Sequence, residues 1–323
     1  MGSPAPQANR RFGDQLVDLP LGPLAGPAFE ILDPRFWVCT RPDAQVERIW
    51  TGGTWTEGPA WLAERRILVW SDIPGDRMLA WNEKTGAVST FRHPAQGPNG
   101  NTVDREGRLL TCEQTPHRIA RLEHDGSTSI LADNIGGRRF NSPNDIVVKS
   151  DGSVWFTDPS YGRPDDRPPG ADVEGCHVYR IDGQTGDVRQ MTTDFVMPNG
   201  LAFSVDESLL YIVDTGSTLG KGGPNHVRRC RVAADQTLSG GEVLATNSAE
   251  KFDGLRIDTA GRLWMGAEDG VHCYLPDGSL IGKVRLPERA SNLTFGGADR
   301  DTLMITGSTS IYRCKVAARG TAA

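Results

Sequence analysis

The sequence predicts an all-β chain folded as a six-bladed β-propeller behind an N-terminal extension, and three observations predict it. A short apolar strand recurs six times, polar turns precede most of its copies, and helical periodicity with caps is almost absent. Measured at Leu68, Leu109, Val154, Leu210, Leu263 and Leu303, the copies are 41, 45, 56, 53 and 40 residues apart. Each interval holds about four short strands, the content of one propeller blade. A β-sandwich needs far fewer strands, and a parallel β-helix needs shorter, more regular periods.

Taken in order, residues 1–44 are rich in Pro and Gly and keep no period, which predicts an extension lying on the surface with Phe29, Phe36 and Trp37 as anchors. Residues 45–318 are expected to form the propeller as one domain. Val46 to Trp50 are placed to complete the last blade, whose other strands end near Lys315, and this closure removes the free edges of an open array. The turn before the apolar strand reads Asp104 to Gly107, Asp151-Gly152, Asp206 to Ser208 and Asp258 to Gly261 in successive units. The strand after it alternates, as in His177 to Ile181 and Ser310 to Cys314. Trp70, Trp155 and Trp264 recur at one place in their units and are expected in the core, on innermost strands.

Composition fits this design and excludes several partners. The 38 Gly and 21 Pro make up about 18 % of the chain, above the ~12 % average, as many tight turns require. Net charge is −6 with both signs interspersed, so no basic stripe points to nucleic acid. No apolar run reaches the ~18 residues of a membrane span, and residues 1–15 contain no hydrophobic segment of an export signal. The chain therefore reads as soluble and cytoplasmic as it stands, or periplasmic if a signal preceded it, and as a monomer or weak homo-oligomer. Cys39, Cys112, Cys176, Cys230, Cys273 and Cys314 contain no C-x-x-C pair and read as buried strand thiols.

The chemistry centres on one phrase. Met197-Pro198-Asn199-Gly200 leads into an apolar strand, and Ser142-Pro143-Asn144-Asp145 echoes it one unit earlier. Proline fixes φ and removes a donor, so each Pro-Asn pair reads as a rigid turn presenting an amide. In a propeller the loops entering the innermost strands converge on the central channel. Four of them carry an oxygen-bearing residue in a comparable place: Glu57, Asn144, Asn199 and Asp253. Any one alone is an ordinary turn residue, but four at equivalent places in different repeats indicate a shared site. Two carboxylates and two amides form an all-oxygen, net −2 set suited to one divalent ion. Ca2+ comes first, with Mg2+, Mn2+ or Zn2+ as alternatives, and the lack of thiolate and imidazole disfavours structural zinc. The six His residues show no metal-ligand spacing, and no serine-hydrolase, P-loop or dinucleotide motif is present.

Glu57-Gly58-Pro59 with Ser71-Asp72-Ile73-Pro74, Asn199-Gly200-Leu201, and Asp253-Gly254 followed by Gly261-Arg262-Leu263-Trp264 resemble the gluconolactonase/regucalcin (SMP-30) family of six-bladed propellers. Asn99 to Thr102, Leu131 to Asp133 and Trp155 to Pro159 resemble its bacterial gluconolactonase branch. The resemblance runs from about Phe29 to Lys315, with the motifs in order and at blade spacing. It implies one divalent metal held by Glu57, Asn199 and Asp253, with Asn144 at the metal or on substrate. It also implies hydrolysis of a sugar lactone such as glucono-1,5-lactone to the aldonic acid. Asp253 is then the expected general base, with Glu57 second. Asn99, Asn101, Asn144, Asp158 and Tyr161 are candidate binders of sugar hydroxyls. One departure stands out: the animal branch has Arg-x-Asn-Asp where this chain has Ser142-Pro143-Asn144-Asp145, which leaves Arg138 or Arg139 as candidate replacements for its substrate-binding Arg. The alternatives are a related propeller esterase or phosphotriesterase, and a non-catalytic propeller that binds a ligand or protein.

Overall fold

The computed structural model describes residues 20–161, 173–220, 222–247 and 251–321; the first 19 residues of the expected extension lie outside them. Six antiparallel sheets stand around a central axis as a six-bladed β-propeller. Their innermost strands are Thr56–Leu62, Pro98–Val103, Ile146–Val148, Pro198–Phe203, Leu255–Ile257 and Ala290–Gly296. The ring closes as expected. Val46–Thr51 pairs with Ser310–Lys315 and becomes the outer strand of blade 6. The segment before it adds an edge to each of the last two blades: Phe29–Ile31 pairs with Leu280–Arg285 of blade 5, and Gly22–Pro23 pairs with Val46–Thr51. Phe36 is the buried anchor of this segment, edge-on to Phe29 and tilted against Trp264, whereas Trp37 stands 63 % exposed.

The recurring apolar runs are the second strands of the blades, Ile67–Asp72, Leu109–Glu113, Val154–Asp158, Leu209–Asp214, Leu263–Ala267 and Thr302–Gly307. Trp70, Trp155 and Trp264 are fully buried on these second strands, not on the innermost ones. A second strand is covered by neighbouring blades on both faces, which is why it reads as a continuous apolar run. Four of the cysteines are buried in strands; Cys39 instead ends a short 3-10 helix, Pro34–Cys39, and Cys176 is half-buried in a connection. Among the described residues helix is confined to that turn and Gly216–Leu219, and no helix is long and apolar enough to cross a membrane.

Two devices bring the tops of the innermost strands together. The first is glycine. The Asn199-Gly200 and Asn99-Gly100 pairs lie inside strands, at register shifts between Pro198 and Leu201 and between Pro98 and Asn101; for the first of them a rigid turn was expected. A Cβ on Gly100 would sit 2.3 Å from the Asn144 carbonyl oxygen, and one on Gly200 would sit 2.5 Å from that of Asp253. No side chain fits there, so neighbouring blades meet backbone to backbone, as in the 2.7 Å bond from the Gly100 N–H to the Asn144 carbonyl.

The second device is an aspartate clamp. Asp72, Asp158 and Asp214 each end a second strand, and each carboxylate accepts two consecutive backbone N–H groups from the loop entering its own innermost strand. The donors are Thr54 and Trp55 at 2.9 and 3.2 Å, Asn141 and Ser142 at 2.8 and 2.7 Å, and Val196 and Met197 at 2.9 Å each. They stand three and two residues before Glu57, Asn144 and Asn199 respectively. Charge-assisted bonds to orphan N–H groups are the stronger kind, so each clamp fixes where its site residue starts.

Replacing Asp158 with Asn removes the charge and half of the acceptors. Asp158→Asn is therefore expected to lower unfolding stability by on the order of 1–3 kcal/mol. Gly200→Ala is expected to cost about 1–3 kcal/mol by overpacking. Asn99→Ala, whose side-chain amide has no hydrogen-bond partner among the described residues, should cost less than either of these. Urea titrations at constant m-value would decide this; a neutral Asp158→Asn would remove the clamp from the account.

Candidate active site

At the clamped end of the channel Asn199 meets Asp253 and Glu57 lies within reach of the Asp253 charge, while Asn144 stands just before the innermost strand of blade 3. Glu57, Asn144, Asn199 and Asp253 are 6, 8, 7 and 5 % exposed, so they are buried among neighbours yet still reached by solvent. Each is set by its own backbone. Glu57 pairs across to Ser71, and its Oε2 accepts the Gly58 N–H at 2.9 Å. The Asn144 N–H donates to the Thr157 carbonyl at 2.8 Å, and the Asp253 N–H to that of Gly266 at 3.1 Å. Blades 4 and 5 meet where Asn199 Nδ2 donates to Asp253 Oδ1 at 2.8 Å. Among the described residues the side-chain amide of Asn144, like that of Asn99, has no hydrogen-bond partner.

Electrostatics mark this end of the channel as short of positive charge. Burial pushes the Glu57 carboxyl well above the usual carboxylate range, and the nearby charges of Asp253 and Asp145 push it the same way. Burial likewise pushes Asp253 up to about 6, with Arg289 and Asn199 holding it back by favouring its charged form. Asp145 has its own counter-ion: Arg256 of blade 5 reaches across to blade 3, with its Nη1 3.2 Å from the Asp145 carboxylate. Among the described residues no three His, Cys, Asp or Glu side chains gather as a metal-binding group. The donor set is two acids completed by amides.

The remaining candidates separate by what their polar atoms already do. Asn101 Nδ2 donates to the Gly58 carbonyl at 2.8 Å and to Ser71 Oγ at 2.9 Å, and its Oδ1 accepts from Thr111 at 2.8 Å. Asp158 is the clamp of blade 3 and is fully buried. Both are built into the walls. Tyr161 bonds through its hydroxyl to Thr215 Oγ1, and the residue is 40 % exposed; burial of the hydroxyl pushes its pKa up to about 12, so it stays protonated. Arg138 and Arg139 lie exposed on a two-residue ribbon strand.

The cation at the site is one that sequence reasoning missed, Arg289. It stands just before the innermost strand of blade 6 and places Nη2 2.8 Å from Asp253 Oδ2. Its guanidinium lies 5.5 Å from the centroid of the Trp55 ring, within cation–π range. Asn292 of the same strand contributes a side-chain hydrogen bond to Glu57. The signal was present: Pro287-Glu288-Arg289-Ala290-Ser291-Asn292 is blade 6's version of the recurring phrase. It was hidden because the Pro-Asn-Gly wording is lost. A cavity of about 1000 Å³ opens at the opposite mouth, lined by Trp61, Val103, Val147, Phe203 and Phe295. It lies away from the acid pair and contains none of its residues.

Comparison with known proteins places this geometry. Residues 55–309 match the family model described as the SMP-30/Gluconolactonase/LRE-like region. The gluconolactonase of Zymomonas mobilis is 28 % identical over 307 residues, covering 87 % of this chain and 84 % of that protein. The 6-deoxy-6-sulfogluconolactonase of Pseudomonas putida is 29 % identical over 260 residues, covering 78 % and 82 %. The solved gluconolactonase of Xanthomonas campestris superposes with a TM-score of 0.82 at 33 % identity, covering 92 % of this chain and 97 % of that one. The matched span takes in all six innermost strands together with Glu57, Asn144, Asn199 and Asp253. The chain belongs to the SMP-30/gluconolactonase/LRE-like family.

Proposed function

We propose that this protein is a metal-dependent lactonase that opens a sugar lactone, glucono-1,5-lactone or a similar aldonolactone, to the aldonic acid. The observation that carries the reading is the pair of buried carboxylates, Glu57 and Asp253, facing one channel mouth beside two amides. Their all-oxygen donor set fits a hard divalent cation, Ca2+ first. Glu57, Asn144, Asn199 and Asp253 are the residues that would hold it. When bound, such an ion supplies a Lewis acid that polarises the ring carbonyl and makes the attacking water more acidic.

The protein's own groups do the rest. Asp253, which burial raises above the ordinary carboxylate range, is the acid placed to take a proton. It accepts one from the water whose oxygen joins the carbonyl carbon, and returns it to the ring oxygen as the C–O bond breaks. Glu57, kept more strongly in its neutral form, is the second proton-handling group. The unpartnered amides of Asn99 and Asn144 are suited to sugar hydroxyls. Tyr161, anchored to Thr215, offers its exposed ring as one wall of the mouth. Asn101 and Asp158, whose atoms are taken up by the walls, are left out of substrate binding. The lactone relatives support the reaction class, and the differing sugars in their names leave the preferred sugar to a lactone panel.

Two measurements test this. Acid release from gluconolactone and a small panel of lactones should vanish on chelation, return with added divalent ion, and fall by at least about a hundredfold in Asp253→Ala. Activity surviving both treatments would sink the mechanism. Inactivity on every sugar lactone, with turnover of a phosphotriester or of nothing, would move the reading to the esterase or binding alternatives. The second measurement is thermal. Carboxyls with pKa values raised in the folded state destabilise the metal-free protein as pH rises from about 4 through about 6, because only the unfolded chain releases its protons freely. For Asp253 alone this is on the order of 3 kcal/mol. The gain in Tm from added Ca2+ should therefore be larger at about pH 7.5 than at about pH 5. Equal gains at both would separate the acids from the ion.

A further inference from the structure

We propose that Arg289 is the site's own counter-ion and competes with a divalent cation for the Asp253 carboxylate, so that it sets how tightly the cation is held. This rests on the metal-dependent reading above. Arg289 Nη2 is 2.8 Å from Asp253 Oδ2, and its Nη1 is 3.4 Å from Glu268. Its side chain is only 17 % exposed, and a guanidinium does not give up its charge in a protein. The positive charge is therefore a permanent part of the mouth. What holds the side chain there is charge and the Trp55 ring, since its buried Nε–H finds no acceptor among the described residues.

The sign of its effect on a cation is decided by what else fixes Asp253. That carboxylate already receives Asn199 Nδ2 on Oδ1, and its backbone N–H is tied to the Gly266 carbonyl. Asp253 does not need Arg289 to point it at the channel. Arg289 instead adds a like charge beside the position a cation would take and engages one of the two carboxylate oxygens. Both effects weaken divalent binding. Arg289 also relieves the isolation of a buried acid when no ion is bound, which keeps the empty site from being costly. The structure thus assigns it the role of holding the site in an exchangeable state.

The test is calorimetric titration of CaCl2 into chelator-stripped protein. Arg289→Met is expected to bind Ca2+ at least about tenfold more tightly than the parent, and its metal-free form to melt at a lower temperature. Arg289→Lys, which keeps the charge, should stay within about threefold of the parent Kd. Arg289→Gln, polar and uncharged, replaces the Met variant if that one does not fold. Unchanged or weaker Ca2+ binding in a cooperatively melting uncharged variant overturns the proposal. If the parent takes up no divalent ion but the uncharged variant does, the competition is upheld in its strongest form. If neither binds Ca2+, Mg2+ or Mn2+, the competition and the metal-dependent reading both fall. Normal binding in the parent with no change in the variant leaves that reading standing and removes only the role of Arg289.

Discussion

Everything at the working end of this molecule depends on how closely six innermost strands approach one axis. At the level of Glu57, Asn99 and Asn199 the approach is so close that a Cβ on the following glycine, Gly58, Gly100 or Gly200, would run into the carbonyl of Asn99, Asn144 or Asp253 in the next blade. With backbone against backbone on the flanks, the only direction left for the preceding side chain is toward the channel. The same rule that demands glycine at one position thus aims a polar group from its neighbour. The site is a by-product of closing the ring tightly, and loosening the ring at any of these contacts would unmake it.

That geometry creates an electrostatic problem whose solution explains the charged residues along the axis. Glu57, Asp145 and Asp253 sit near one another with little water, and uncompensated charges in such a place are unfavourable by several kcal/mol each. The protein supplies two guanidinium groups, Arg256 to Asp145 and Arg289 to Asp253. Among the described residues Glu57 has no cation and receives hydrogen bonds from the Gly58 N–H and Asn292. Three acids meet two fixed cations, and the acid left without one, Glu57, is pushed toward its neutral form at the mouth. The Asp145–Arg256 pair, which bridges blades 3 and 5, lies between this mouth and the large cavity at the other end. The acid chemistry and the roomier space are therefore on opposite sides of a charged barrier.

Much of this was legible in the sequence, and what was not has a physical reason. The second strands announced themselves because burial on both faces makes them continuous apolar runs, and their spacing alone counted the blades. The innermost strands were harder to see. They are short, interrupted by register shifts and polar at the top, so Pro198 to Leu201 reads as a turn and the buried Trp residues were assigned one strand too far inward. Asp158 looked like a sugar binder because an aspartate near a predicted mouth is ambiguous by itself. Set beside Asp72 and Asp214, all at the ends of second strands, it becomes the third copy of a clamp. Arg289 escaped notice for the opposite reason: blade 6 has abandoned the shared wording, and only the fold reveals that a residue there faces an acid from blade 5.

The position of that acid also gives the N-terminal segment a structural consequence beyond covering surface. Glu57 belongs to blade 1 and Asp253 to blade 5, and blade 6 stands between them. Blade 6 reaches both, through Asn292 to Glu57 and through Arg289 to Asp253, while Ser291 Oγ donates to the Thr56 carbonyl at 2.6 Å. Yet blade 6 is itself the blade assembled from both ends of the chain, since its outer strand is Val46–Thr51. The two acids are therefore neighbours only when the ring is closed. Phe29–Ile31 extends blade 5 and Val46–Thr51 completes blade 6, so the same stretch of chain fastens both sheets on which Asp253 and Arg289 are carried. Closure of the propeller and assembly of the acid pair are one event, driven by β-pairing at the rim and read out at the axis.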